Sequence, residues 1–191
     1  MKIIIEPAIF DKIPTLQVFV IVARNMTLRP NGEVEIKKFL QDSWHHGAQA
    51  CLAYSNVQSH PHIQAWRECY QALGISIKKF TCSVENLLKR AVKQPEPRSI
   101  SPIVDLYNAV SVRHVMPFGA MDLDDMPEEP LELRFSQPND TFMALDESEP
   151  SPVPPQEATY VCGHEALTRH INWKQSKKGL VQNNSKNVMF V

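Results

Sequence analysis

One segment, residues 99–125 (SISPIVDLYNAVSVRHVMPFGAMDLDD), constrains the fold most because both ends of a helix can be recognised in it. Ser101 followed by Pro102 is typical of a helix start, where a hydroxyl caps the first turn and proline costs no hydrogen bond. Apolar residues then recur with helical spacing, at Ile103, Tyr107 and Val110. The helix should end before Pro117, because proline disfavours helical geometry in the residue that precedes it.

Two polar side chains lie inside this apolar helix. Asp105 and Asn108 are three residues apart, so they share one face. One interpretation is structural, with the polar face bonded to a neighbouring loop. The other is functional, with Asn108 lining a pocket. The residues alone leave both open.

Composition indicates an ordinary globular chain. Its 191 residues suit one domain, 1–191, with 43% hydrophobic and 21% charged residues. The net charge of −1 gives no overall basic field for nucleic acid, so any RNA contact must come from a local patch. No apolar run reaches the 18 residues expected of a membrane span, and with acid and proline among the first seven residues we expect no secretory signal.

The cysteines and histidines do not suggest a metal site or another cofactor. The four cysteines form no CxxC pair, which is typical of buried thiols in a reducing cytosol. Adjacent His45 and His46 point about 100° apart on a helix and cannot chelate one ion together. His60 and His62 have no third ligand at useful spacing, so we expect no metal.

Patterning along the chain predicts an α+β fold. Helices are expected at residues 33–51, 63–74 and 84–94 besides the segment above, with Ser83 capping the third. Strands are expected at 2–6, 16–23, 75–80, 131–135, 141–145, 158–162, 167–173 and 188–191, the second being buried and central. Residues 146–157 form a proline-rich acidic loop. Helices therefore lie mostly in the first two thirds, and a mainly antiparallel sheet lies toward the C-terminus.

Residues 104–124 resemble the B3/B4 domain of the phenylalanyl-tRNA synthetase β subunit, its editing domain, and resemble free-standing B3/B4-like proteins still more closely. The matching positions are Val104-Asp105, Tyr107-Asn108, Pro117 and Asp122. Further motifs of the free-standing proteins occur at 60–74, 83–90, 172–176 and 184–191. The resemblance runs from about residue 5 to the end. Such proteins usually continue further, so we expect the chain to be short at its C-terminus.

The resemblance implies a substrate pocket in which Asn108 orients the substrate. Its expected residues are Asp105, Tyr107, Asn108, Gly119, Asn172 and Trp173. Gly119 departs from the bacterial synthetase, which has a histidine there, and the last strand lacks the acid of that enzyme. In residues 169–173 one arginine and one tryptophan of the family motif are also replaced. The catalytic residues therefore stay unassigned.

A local basic patch is the candidate RNA surface. Lys174, Lys177 and Lys178 follow Trp173 closely, and lysines beside an aromatic platform can contact phosphates and a stacked base. The alternative is that these lysines are simply solvated.

The function implied by the resemblance is recognition of tRNA or aminoacyl-tRNA by a soluble cytoplasmic protein. It extends to trans-editing, in which a wrong amino acid is hydrolysed from tRNA. The alternatives are a non-catalytic module that binds RNA or an aromatic amino acid, and a plain interaction module on a larger complex. No DNA or membrane partner is expected.

Overall fold

A computed structural model, which describes residues 2–126 and 129–191, confirms the α+β fold. Its helices are α1 (Pro7–Lys12), α2 (Gly32–Leu52), α3 (Pro61–Ala72), α4 (Ser83–Lys93) and α5 (Pro102–His114). Its strands are β1 (Ile3–Ile5), β2 (Ile21–Ala23), β3 (Ala120–Asp122), β4 (Leu131–Phe135), β5 (Thr141–Phe142), β6 (Ser151–Pro152), β7 (Ala158–Cys162), β8 (Glu165–Ala166), β9 (Thr168–Arg169), β10 (Lys174–Gln175) and β11 (Val188–Phe190). Short 3-10 helices cover Val57–Ser59 and Leu123–Asp125. Helices fill most of the first two thirds, and mostly antiparallel strands follow.

The chain divides into two compact units. The first unit comprises Met1–Val18, Arg67–Thr81 and Asp125–Leu180. The second unit comprises Phe19–Trp66, Cys82–Asp124 and Val181–Val191. The boundary therefore falls within α3.

In the second unit, α2 packs against both α4 and α5. Gly47 permits close approach, because a Cβ atom there would lie only 2.6 Å from the carbonyl oxygen of Val112 on α5. The indole of Trp44 donates a hydrogen bond of 2.8 Å to the carbonyl of Gln94, which fixes the end of α4. These contacts hold α5, the helix that carries most of the predicted site.

The second unit also contains a three-stranded antiparallel sheet with β11 between β2 and β3. The prediction of a buried central strand at residues 16–23 is wrong. Only β2 forms there, at the edge of the sheet, and Ile21 is 58% exposed. β-branched residues favour strand geometry at an edge as well as at the centre of a sheet, so the apolar run did not determine the position.

The first unit is built on a six-stranded sheet with the order β1-β4-β7-β8-β5-β6. The β1–β4 and β5–β8 pairs are parallel and the other pairs are antiparallel. β4 and β7 form the longest ladder, and Leu131, Leu133 and Val161 are completely buried in it. Burial of such side chains contributes about 1.5–3 kcal/mol each, which makes this ladder the core of the unit.

The first unit contains a buried ion pair. Arg134 contacts both carboxylate oxygens of Asp140, at 2.6 Å and 3.0 Å, and the N–H of Gln137 donates to the same carboxylate at 2.7 Å. Burial acts to raise the pKa of Asp140, but these bonds more than offset it and hold the pKa below its ordinary value. The pair is therefore satisfied on both sides, as a buried charge must be.

Several predicted strands are absent or shorter in the described structure. Residues 75–80 form a turn instead, in which the N–H groups of Lys79 and Phe80 donate to the carbonyl of Ser76. The strand predicted at 167–173 is interrupted because His170 and Ile171 have positive φ angles of 48° and 59°. Only two residues of 141–145 form a strand.

Other predictions at element ends gave mixed results. Gly74 has a φ of +72° just after α3, as predicted for a helix C-terminus. The predicted cap at Ser83 is wrong, because Ser83 is the first residue of α4 and Cys82 holds the cap position. None of the four cysteines forms a disulfide in the described structure. No helix among the described residues has the length and apolar character needed to cross a membrane.

Candidate functional site

The helix α5 begins as the sequence predicts. The hydroxyl of Ser101 accepts a hydrogen bond from the N–H of Val104 at 3.4 Å, and Pro102 occupies the first helical position. The helix ends at His114, where Val115 adopts a left-handed conformation with φ 52°. The hydroxyl of Ser111 donates to the carbonyl of Met116 at 2.7 Å and secures the turn that follows.

Asp105 is used by the fold. It is 1% exposed, and its carboxylate accepts hydrogen bonds from the Ser99 hydroxyl at 2.5 Å and the Ile100 N–H at 2.8 Å. These bonds attach the preceding segment to the first turn of α5. The side chain therefore has the structural contacts expected of a polar face that is bonded to a neighbouring loop.

Tyr107 lies on the same helix and packs against a cluster of buried apolar residues. The buried members of that cluster are Val104, Ala120, Val181, Val188 and Phe190. Burial, and then the nearby carboxylate of Asp105, raise the pKa of the Tyr107 phenol to about 12. The phenol consequently keeps its proton at neutral pH and can donate a hydrogen bond.

Asn108 differs from Asp105 in a way that matters for binding. It is partly exposed, and its side-chain amide makes no hydrogen bond within the described residues. An amide has one acceptor oxygen and two donor hydrogens, so this group can accept from and donate to a ligand at once. Asn108 is thus a polar side chain on this helix that is available to another molecule.

Gly119 continues the pairing of β3 with β11. Its N–H donates to the carbonyl of Val191 at 2.8 Å, and the N–H of Val191 donates back at 3.1 Å. Apart from Gly119 and its two chain neighbours, no described atom lies within 4 Å of the position that a Cβ would occupy. Phe118 beside it stacks on Phe190 at 5.8 Å and packs against the same apolar cluster as Tyr107. Tyr107 and Phe118, the chain neighbours of Asn108 and Gly119, therefore pack on one apolar core, with open space at the glycine.

The acidic residues that follow Gly119 also have structural hydrogen bonds. The buried carboxylate of Asp122 accepts hydrogen bonds from the Ser185 hydroxyl and the Asp124 N–H. The side-chain amide of Asn187 donates to both carboxylate oxygens of Asp124, at 2.9 Å and 3.0 Å. The acids thereby fasten the segment that leads into β11.

The remaining two predicted pocket residues, Asn172 and Trp173, belong to the first unit, whereas the other four belong to the second. The side-chain oxygen of Asn172 accepts a hydrogen bond of 2.6 Å from the hydroxyl of Tyr70. The Trp173 ring meets the edge of Phe80, with ring centroids 4.7 Å apart, and lies 5.5 Å from His170. Both side chains are partly exposed and held in place by neighbours.

Glu157 is a site-supporting residue that the sequence did not indicate. Its buried carboxylate accepts from Arg169 Nε at 2.6 Å, from Arg169 Nη2 at 2.7 Å and from the N–H of His170 at 2.8 Å. These bonds hold the left-handed pair that precedes Asn172. Glu157 ends a loop predicted to be solvated, and no local pattern distinguishes it from the loop's exposed acids.

The surroundings of His170 disfavour its charged form. Burial lowers its pKa, and the carboxylate of Glu157, 3.5 Å from Nδ1, opposes that effect only in part. Its ring centroid lies 3.7 Å from that of Phe80. The ring therefore belongs to an aromatic cluster that supports Trp173.

Each of the three lysines predicted to contact RNA has an acceptor within the first unit. Lys174 lies 3.4 Å from a carboxylate oxygen of Asp146, and Lys177 donates to the carbonyl of Glu147. Lys178 lies between two carboxylates, 3.5 Å from Asp125 and 3.9 Å from Glu165. Such exposed pairs contribute only about 0–1 kcal/mol, so a phosphate can replace the acid. Among the described residues, no group of three possible metal ligands lies close together.

Comparison with known proteins identifies the family of this chain. A protein-family model described as the B3/4 domain matches residues 65–191. An N-terminal fragment of the phenylalanyl-tRNA synthetase beta-subunit from Pyrococcus horikoshii is 12% identical, with a TM-score of 0.35. That match covers 47% of this chain and 33% of the fragment. No match was found among curated proteins.

Proposed function

Since this chain belongs to the B3/4 domain family, we propose that it recognises tRNA or aminoacyl-tRNA, with residues 1–191 acting as one B3/B4-like domain in the cytoplasm. The observation that carries the proposal is the amide of Asn108, which is partly exposed, makes no hydrogen bond within the described residues, and directly follows Tyr107 of the apolar cluster in the chain. A buried polar group without a partner is costly, so a partly exposed amide beside an apolar wall suits a ligand with both polar and apolar parts.

The aminoacyl end of a charged tRNA is such a ligand. Its ester and amino groups offer acceptors and donors for Asn108, while an aromatic side chain is suited to the apolar surface of Tyr107 and Phe118. The protonated phenol of Tyr107 adds a neutral donor. In this proposal Asn108 orients the substrate, and Tyr107 and Phe118 provide the apolar wall.

Trans-editing is the finer form of the proposal. A water molecule attacks the ester carbonyl carbon, the bond between that carbon and the ribose oxygen breaks, and the ribose oxygen takes up a proton. The products are a free amino acid and an uncharged tRNA. Because Gly119 has no side chain to act as a base, the water's proton must pass to another acceptor, such as a ribose hydroxyl of the substrate.

RNA contacts are proposed for Lys174, Lys177 and Lys178, beside Trp173. Their present partners are exposed acids and a carbonyl, which phosphate oxygens can replace at little cost. The Trp173 ring offers a surface for stacking a base, which is worth about 1–3 kcal/mol per base in other proteins. Phosphate contacts and base stacking of this kind do not distinguish one RNA sequence from another.

A non-catalytic module that binds RNA or an aromatic amino acid is the second candidate. Two observations favour it. Gly119 offers no acid–base group, and Lys174 and Lys178 each have a carboxylate beside them.

Fluorescence anisotropy with labelled phenylalanine-specific tRNA tests recognition. We expect affinity to fall as salt rises, with a log–log slope that is smaller by about 2–3 when Lys174, Lys177 and Lys178 are changed together to Ala, since each lost phosphate contact removes about 0.7–0.9. Lys78→Ala with Lys79→Ala is the matched control, because these two exposed lysines lie in a turn of the same unit. No binding by the wild type contradicts the proposal. Equal salt slopes for the wild type and the triple variant would show that the three lysines do not contact RNA.

The same assay with charged tRNA tests the pocket. Asn108→Ala should remove the preference for charged over uncharged tRNA without changing thermal stability by more than about 0.5 kcal/mol. Asn183→Ala, an exposed asparagine of the same unit, is the control. A matching loss of stability in Asn108→Ala would show that Asn108 is structural.

A further inference from the structure

The start of α3 has an unusual cap. His60 has the extended backbone of a helix N-cap, with φ −66° and ψ 131°, and Pro61 follows at the first helical position. Its carbonyl accepts the first intrahelical hydrogen bond, from the N–H of Gln64 at 2.9 Å. Residue 60 is therefore the N-cap by geometry, although histidine is not among the preferred residues there.

The capping bond runs to an imidazole nitrogen. The backbone N–H of His62 donates to Nδ1 of His60 at 3.2 Å. Because Nδ1 is the acceptor, the proton of the neutral ring lies on Nε2. A serine or asparagine cap keeps its acceptor oxygen at any ordinary pH, whereas an imidazole loses the acceptor when Nδ1 is protonated. The cap bond can therefore be removed by a single proton.

The surroundings of His60 oppose that proton. The residue is 9% exposed, and its ring meets the edges of the Tyr54 and His62 rings, at centroid distances of 5.0 Å and 5.3 Å. Burial, and then the neighbouring His62, lower the pKa of His60, and no carboxylate among the described residues counteracts them. A positive charge at a helix N-terminus is also unfavourable in the field of the helix dipole.

The same turn is attached to the site helix. The Nδ1 atom of His62 lies 3.3 Å from the carbonyl of His114 and 3.2 Å from that of Val115, at the C-terminal end of α5. Two carbonyls can only accept, so Nδ1 of His62 carries the proton and donates to them. The contacts that His62 makes with this end of α5 are therefore with backbone carbonyls. All of these residues belong to the second unit.

We propose that His60 is a pH-sensitive cap, whose protonation opens the first turn of α3 and releases the attachment of His62 to the end of α5. The stabilisation is fully present above the ordinary histidine pKa of about 6.5 and is lost as the pH falls through the lower value of the folded protein. Since α5 carries Asn108, acid loosens one end of the site helix. The loss of this cap bond on protonation does not require a bound ligand.

Two NMR measurements on the whole chain test the proposal without any ligand. Long-range ¹H–¹⁵N spectra should show the neutral His60 ring protonated at Nε2 and titrating below pH 6.5. Amide exchange, expressed as protection relative to the intrinsic rate at each pH, should show about a tenfold loss of protection at the N–H of His62 between pH 7.5 and pH 5. A proton on Nδ1 of the neutral ring, or unchanged protection, would overturn the proposal.

A matched pair of variants separates the cap from general acid effects. His60→Asn keeps an acceptor that does not titrate in this range, so the protection of His62 should become independent of pH. His46→Asn, an exposed histidine on α2, should behave like the wild type. Equal pH dependence in all three proteins contradicts the proposal. If His60→Asn does not fold, the tautomer and titration of the wild-type ring still decide.

Discussion

Glu157→Gln is the substitution that best examines how Asn172 and Trp173 are held. The change keeps the shape of the side chain but removes its charge and replaces one acceptor oxygen with an NH₂ group. In the structure both oxygens of Glu157 accept from Arg169, at 2.6 Å and 2.7 Å, and one also accepts the N–H of His170. The glutamine must therefore leave one donor of the arginine facing another donor.

The magnitude follows from burial. The side chain of Glu157 is 5% exposed and that of Arg169 is 18% exposed, so the arginine would remain mostly buried without its counter-charge. Breaking such a pair from one side costs about 3–5 kcal/mol. Because Arg169 retains some solvent, we expect the lower end, about 3 kcal/mol. For a chain of this size that corresponds to about 6–12 °C in Tm.

The assay is urea unfolding followed by circular dichroism and by the indole NMR signal of Trp173, the one tryptophan of the first unit. Glu149→Gln is the control, since Glu149 is an exposed acid in the same loop. The free energy of unfolding reported by the Trp173 signal should fall in Glu157→Gln, whereas in the control it should stay within about 0.5 kcal/mol of the wild-type value. A loss below about 1 kcal/mol in Glu157→Gln would refute the view that this carboxylate holds the left-handed turn.

Three further substitutions have definite expected outcomes. The pKa of Asp140 in the folded protein is below its ordinary value, so its pairing with Arg134 stabilises the fold above about pH 4 and is lost as the pH falls further. In Asp140→Asn, the Tm measured by thermal unfolding should therefore depend less on pH in this acid range. Gly47→Ala places a Cβ 2.6 Å from the Val112 carbonyl and should cost about 1–3 kcal/mol by calorimetry; no loss would mean that the two helices separate freely. Gly119→His enters open space and should leave Tm within about 2 °C, whereas a large drop would show that the site is closed.

The parts of the fold that the sequence predicts are those specified by neighbouring residues. Ser101 and Pro102 specify the start of α5 through a hydrogen bond and a fixed φ, and neither depends on the rest of the chain. Gly74 likewise marks the end of α3 by its left-handed conformation. Such signals act within one turn of helix, so a single sequence is enough to find them.

Strand position could not be predicted in the same way. The run at 16–23 is apolar and β-branched, but whether it lies at the centre or the edge depends on how many strands pair with it. In the structure β2 pairs with β11 alone among the described residues, so Ile21 is exposed. Pairing of this kind joins residues more than 160 positions apart, and no local pattern encodes it.

The candidate site shows the same division. Helical spacing predicts that Asp105 and Asn108 share a face of α5. It does not predict that one of them is hydrogen-bonded to its own chain and the other is not. Ser99 and Ile100 occupy the carboxylate of Asp105, and the amide of Asn108 stays available. The acid paired with Lys174 lies 28 positions away, and the two beside Lys178 lie 53 and 13 positions away, so the sequence could not show that these charges are balanced.

Deacylation of charged tRNA tests the central claim most directly. Phenylalanine-specific tRNA carrying tyrosine is incubated with the wild type, with Asn108→Ala and without protein, and released tyrosine is measured over time. The account predicts release above the spontaneous rate with the wild type and a return to the spontaneous rate with Asn108→Ala. Release at the spontaneous rate in all three samples, together with no salt-dependent tRNA binding, would contradict it.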